Sequence, residues 1–137
     1  MSGDPTVTAT ITSTPGRFLV SARQVHFVAD ASASRGGKGE AVLAAELLLA
    51  SLATCGLALV TDAARVRAST LAGAEIETSY TVDPEDKTRF SVLALRFRLA
   101  GVQRREAEEL VRAFTDTCPI YNTIARTTRT EIVVETI

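Results

Sequence analysis

Tryptophan is absent from this chain of 137 residues, histidine and methionine occur once each, and aromatic residues make up only 5% of it. That shortage removes the stacking platforms on which single-stranded nucleic acids are held. An excess of charge is missing too. Lys and Arg number 15 against 16 Asp and Glu, so no bulk field draws in a phosphate backbone or an anionic membrane surface. Neither nucleic acid nor membrane is expected as a partner. His26 is the only imidazole and the two cysteines lie far apart in sequence, so one chain cannot assemble a standard metal set, and no metal or cofactor is expected. The opening Met-Ser-Gly-Asp-Pro-Thr lacks the basic and apolar regions of a secretory signal, which points to the reducing cytoplasm. Two cysteines there are too few for a disulfide framework and need another reason.

What is present is enough apolar residue, 46%, for one ordinary buried core, so residues 1–137 are expected to form a single domain. Residues 7–13 alternate apolar and polar, and Thr14-Pro15-Gly16-Arg17 places Pro and Gly where a type II turn wants them. Residues 18–20 and 25–29 continue as strands, Val25, Phe27 and Ala29 sharing one face against His26 and Val28, which predicts a three-stranded antiparallel meander. Residues 30–40, rich in Ser, Ala and Gly, show no period and read as a flexible loop.

From Ala41 to Val60 the only charge is Glu46. A run of that length can span a bilayer, but six of its residues are Ala, and the flanking amphipathic elements have no place in lipid. The expectation is a buried core helix, extending to about Ala64. Two strands of period two follow, at 74–82 and 90–99, joined by the turn 83–87. Gln103–Asp116 then sets Ala107, Leu110, Val111 and Phe114 at helical spacing. Pro119 suits the first turn of a short helix to about Arg126, and 131–136 closes the chain as a strand. The sum is an α+β domain.

Two contexts carry the chemistry: Glu46-Leu-Leu-Leu-Ala-Ser-Leu-Ala-Thr-Cys55 and Cys118-Pro119-Ile120-Tyr121-Asn122. An E-L-L-L-x-x-L-x-x-C helix after two hairpins, followed by C-P-x-x-N near the end, resembles the OsmC/Ohr superfamily of thiol-dependent hydroperoxide reductases over almost the whole chain. The resemblance implies antiparallel sheets packed around a long buried helix in an intertwined homodimer. It also implies paired Cys55 and Cys118 at the subunit interface, facing an arginine of the N-terminal sheet. In that scheme Cys55 becomes a sulfenic acid, Cys118 closes a disulfide on it, and a dithiol such as dihydrolipoamide resets the pair. Arg17, following the first turn, matches the family's Gly-Arg position; Arg23 and Arg35 are weaker candidates.

From the residues alone, Cys55 shares a helix face with Leu48, Leu52 and Leu59, which suits an organic hydroperoxide. Cys118 falls at a predicted helix start, where unpaired amides favour a thiolate in a less enclosed place. Buried structural cysteines would look the same. Asn122 completes the C-P-x-x-N pattern, though asparagine in a first helical turn also makes local hydrogen bonds. His26 reads as a sheet residue.

One departure concerns mechanism. The peroxidase branch carries a Pro-Glu pair whose glutamate serves the catalytic arginine; this chain has Ala44-Ala45 there. Glu46 is about half a helical turn away from Cys55 in direction, and Glu40 in the loop is the other candidate partner for Arg17. The alternative function is a non-catalytic dimer that binds a small apolar ligand or senses oxidation.

Overall fold

Alternating side chains and tight turns shape the N-terminal third of the computed structural model, which describes residues 3–137. The chain divides into two compact units, 1–48 and 49–137. In the first, β1 (Thr8–Ile11), β2 (Arg17–Ala22) and β3 (Val25–Asp30) form the antiparallel meander. The amide of Arg17 donates to the Thr14 carbonyl at 3.1 Å. Gly16 takes φ 73°, the left-handed conformation that the third position of a type II turn demands. The hairpin between β2 and β3 turns on Arg23-Gln24, with Arg23 at φ 57°.

The sequence left one pairing out. β4 (Val42–Leu43) adds to β3 in parallel, in the order β1-β2-β3-β4. The intervening stretch is also more built than a flexible loop. Ala33–Arg35 make a turn of 3-10 helix, Ala31 N donates to Gly16 O at 2.7 Å, and Gly37 N donates to Ser32 O at 3.0 Å. Gly37 is required there, because a Cβ on it would run into the Ala31 carbonyl. Absence of period hid this order, which rests on backbone and on Asp30 rather than on an apolar face.

In the second unit the sheet order is β5 (Gly73–Val82), β6 (Phe90–Ala100), β7 (Arg129–Thr136). β5 and β6 are antiparallel, whereas β7 runs parallel to β6. Both sheets are therefore mixed, not antiparallel as expected. The physical reason is the connection: α2 (Arg104–Thr117) and α3 (Pro119–Ala125) carry the chain from the end of β6 back to its start, as a parallel pair needs.

Leu93, Leu95, Phe97 and Leu99 of β6 point into one core with Ala107, Leu110, Val111 and Phe114 of α2. On the opposite face Arg98 lies between Glu75 and Glu135 of the neighbouring strands. Helix α1 (Ala44–Val66) supplies Leu52, Gly56, Val60 and Ala64 as its buried residues, a single stripe at i, i+4 spacing. The expectation of a helix buried all round fails within one chain: Ala50, Thr54 and Ala58 are exposed. By length and composition α1 is apolar enough to cross a membrane; here one stripe is buried, Leu49, Cys55, Leu59 and Ala63 pack partly against the core, and the side carrying Ala50, Thr54 and Ala58 is open.

Candidate active site

Cys55 and Cys118, 63 residues apart, meet in the second unit. Their sulfurs lie at disulfide distance and their Cα atoms are 6.8 Å apart. α1 presents Cys55 one residue before buried Gly56, partly exposed and against the same core as Leu49 and Leu59. Cys118 ends α2 and caps α3, and it is 0% exposed. The sequence suggested the reverse, with Cys118 the less enclosed sulfur. A helix terminus reads as open in sequence, but this cysteine belongs to the buried core that includes Phe114, with Tyr121 packed against it.

The start of α3 directs one backbone amide at the sulfur. The Tyr121 amide donates to Cys118 Sγ at 3.3 Å, one of the unpaired first-turn N–H groups that stabilise negative charge. Asn122 Nδ2 donates to the carbonyls of Thr115 at 3.0 Å and Cys118 at 2.9 Å. Tyr121 Oη pairs with Thr130 Oγ1 at 3.1 Å.

Arg17 lies in the first unit, at the start of β2. Its Nε and Nη2 grip the two oxygens of Asp30 at 2.8 and 2.9 Å, the bidentate fit that suits a guanidinium. Glu40 Oε2 stands 3.4 Å from Nη2. Asp30 is 3% exposed and also accepts from the amides of Glu40 at 2.9 Å and Ala41 at 3.0 Å. The Arg17 hydrogen bond, helped by those two amides against the cost of burial, holds the Asp30 carboxyl far below the usual carboxylate range. Its hydrogen bond to Asp30 in turn raises the Arg17 pKa. The result is a permanently charged cation fixed in direction by two carboxylates.

Of the two glutamates considered as partners of Arg17, Glu40 is the one beside it. Glu46 turns back to accept from the Leu43 amide at 2.8 Å, closing the first turn of α1. Asp30, the main partner, was missed in the sequence, although Arg17 and Asp30 are direct cross-strand neighbours. Arg23 serves the β2–β3 turn, Arg35 lies exposed on the 3-10 turn, and His26 Nδ1 pairs with Ser21 Oγ across the hairpin at 2.7 Å. Among the described residues no group of three or more His, Cys, Asp and Glu is placed to hold a metal.

A family model for OsmC-like proteins matches residues 37–133, which contain both cysteines. The chain belongs to the OsmC-like family. Solved structures agree on the fold. An OsmC-like protein from Mycoplasma pneumoniae superposes with a TM-score of 0.80 at 18% identity, covering 100% of this chain and 98% of that one. An organic hydroperoxide resistance protein OsmC from Legionella pneumophila gives 0.73 at 23% identity, covering 96% of each chain. OhrB, an organic hydroperoxide resistance protein of Bacillus subtilis, gives 0.65 at 18%, covering 96% of this chain and 98% of that one. A search of curated proteins gives no significant match.

Proposed function

We propose that this OsmC-like protein reduces organic hydroperoxides with Cys55 as nucleophile and Cys118 as resolving thiol. The observation that carries the reading is the joined pair itself, one cysteine partly exposed and the other sealed in the core. The Cys55 thiolate attacks the outer oxygen of the hydroperoxide; the O–O bond breaks, and the alkoxide leaves and takes up a proton as an alcohol. Cys118 then attacks the resulting sulfenic acid, the S–S bond forms and water is released. A dithiol such as dihydrolipoamide exchanges with the disulfide, becoming oxidised as both protein thiols are restored. Arg17 is assigned the cation that steadies the thiolate and the departing oxygen, with Asp30 and Glu40 in the place of the missing Pro-Glu pair.

The decisive measurement is consumption of cumene hydroperoxide by the reduced protein with and without a dithiol. Sustained turnover, with one equivalent of peroxide converting both thiols to a Cys55–Cys118 disulfide by mass spectrometry, is the expected result. One oxidation without turnover identifies a sensor instead, and unreactive thiols end the proposal.

The same reading includes a homodimer. Ile11 is 85% exposed, and the register of the first sheet puts it on one face with Val25 and Phe27, themselves exposed. On α1 the face opposite the buried stripe carries Ala50, Thr54 and Ala58, small enough to admit a close helical neighbour. Sedimentation at micromolar concentration is expected to give twice the chain mass; a monomer would show that these faces have another use.

A further inference from the structure

We infer that Asn122 is a positioning residue for the disulfide-closing step, holding Cys118 where its sulfur meets Cys55. The inference rests on the reading of the two cysteines as a redox pair and adds the device that aligns them. Its origin is the proline. In an uninterrupted helix the amide at 119 would donate to the carbonyl four residues earlier, Thr115, but Pro119 has no N–H. The Thr115 carbonyl at the end of α2 is thus deprived of its helical donor, and Asn122 Nδ2 reaches back to supply one at 3.0 Å.

The same Nδ2 donates to the Cys118 carbonyl at 2.9 Å, which also accepts the Asn122 amide at 3.0 Å. Cys118 is therefore held on every side. Its amide donates to Phe114 O at 2.9 Å in α2, its carbonyl is gripped by Asn122 in α3, and its sulfur accepts from Tyr121 N. Asn122, itself in α3, bonds through one donor group both the end of α2 and the cysteine between the helices, so it sets the angle at which α3 leaves α2 and with it the direction of the Cys118 side chain.

Little slack remains for that direction to drift. The Cα atoms of the pair, at 6.8 Å, stand at the far end of the span that a disulfide normally bridges. A backbone shift of a few tenths of an ångström at Cys118 moves the sulfurs toward the limit of reach. Pro119 explains why the cysteine is extended (φ −74°, ψ 114°), since a residue before proline avoids the helical region. Asn122 explains why the break costs no unsatisfied carbonyl. Cys-Pro-x-x-Asn then reads as one mechanical unit: the proline makes the bend, the asparagine locks it, and the sulfur sits at its apex.

The test is the thiol–disulfide equilibrium of the full-length protein against a reference dithiol, read by alkylation and mass spectrometry with no peroxide present. Asn122→Ala is expected to lower the equilibrium constant for the disulfide about tenfold, close to 30 mV for a two-electron couple. Asn122→Ser keeps a short donor able to reach the carbonyl at i−4 and should give an intermediate shift, which serves as the readout if the alanine variant does not fold. Thr123→Ala removes a different hydrogen bond of α3, from Oγ1 to Pro119 O, and should stay within twofold of the parent. In single turnover with peroxide, Asn122→Ala should leave sulfenic acid formation unchanged and slow only its closure.

The inference is overturned if Asn122→Ala, or Asn122→Ser where the alanine variant does not fold, leaves the equilibrium within twofold of the parent. It is equally overturned if Thr123→Ala shifts it as much. Because the equilibrium involves no peroxide, failure of peroxide turnover removes the proposed activity without touching this result, and the reverse also holds.

Discussion

Cys55→Ser is expected to abolish peroxide consumption, whereas Cys118→Ser keeps the first attack and accumulates a sulfenic acid on Cys55. The asymmetry follows from access. A peroxide must approach the attacking sulfur along the O–S line with its leaving oxygen pointing away, and only Cys55 has solvent-exposed surface to offer. Cys118, fully buried in the core cluster that includes Phe114 and against which Tyr121 packs, offers a peroxide no open surface. Its usefulness is as a resolver. The Tyr121 N–H holds its sulfur in place, and proximity makes its attack on the sulfenic acid intramolecular, faster than a second peroxide at ordinary concentrations. In Cys118→Ser that competition is lost, so excess peroxide should drive Cys55 on to the sulfinic acid. Single-turnover consumption with a dimedone trap, read by mass spectrometry, measures both outcomes. If Cys118→Ser loses the first attack while Cys55→Ser keeps it, the roles are exchanged.

Much of this arrangement can be read from residues, for reasons that differ by element. The inward face of β6 and the stripe of α2 are legible because apolar and charged positions alternate with contrast: Leu93, Leu95, Phe97 and Leu99 against Arg96 and Arg98, and Ala107, Leu110, Val111 and Phe114 against the acids and arginines of α2. α1 offers no such contrast. Its buried stripe is Leu52, Gly56, Val60 and Ala64, but Leu47 and Leu57 lie off that stripe and are only partly buried, so hydrophobicity predicts a buried helix and cannot say which side is covered. Direction in β7 is hidden because period-two alternation is the same for parallel and antiparallel neighbours; the two intervening helices were the available signal.

The pairing of the cysteines came from resemblance, not from spacing, because a sequence separation of 63 leaves their distance free. Asp30 illustrates a different loss. Once Arg23 and Gln24 are known to form a two-residue turn, Ala22 faces Val25 and counting outward sets Arg17 against Asp30. Arg-Gln carries none of the Asn-Gly or Asp-Gly signal that announces such a turn, so the strand seemed to stop at Ala29 and Asp30 fell into the loop. Its two backbone bonds to Glu40 and Ala41 then explain both the order of that loop and the arrival of Glu40 beside Arg17.

Arg17→Ala is expected to slow the first peroxide step by about a hundredfold, the scale of losing one preorganised electrostatic stabiliser. It is also expected to destabilise the fold, because it strands the buried Asp30 carboxylate without its cation. The two effects separate in the double variant. Adding Asp30→Asn removes the stranded charge, so the melting temperature should recover a large part of its loss while the rate stays low. Acid titration follows from the same pair. The folded pKa of Asp30 lies below its unfolded value, so across the interval between them the unfolded chain binds more protons and stability rises with pH. The contribution of Asp30 is therefore complete above the ordinary carboxylate pKa and declines as pH falls through that range toward the depressed folded value. Melting curves of the parent should show this slope, and those of Asp30→Asn should lack the part that Asp30 supplies. Arg17→Lys keeps the charge but loses the fork that grips both Asp30 oxygens, and it should fall between the parent and alanine in rate. The outcome that removes Arg17 from the chemistry is recovery of the rate together with stability in Arg17→Ala with Asp30→Asn, since that would leave the guanidinium with the single task of neutralising Asp30.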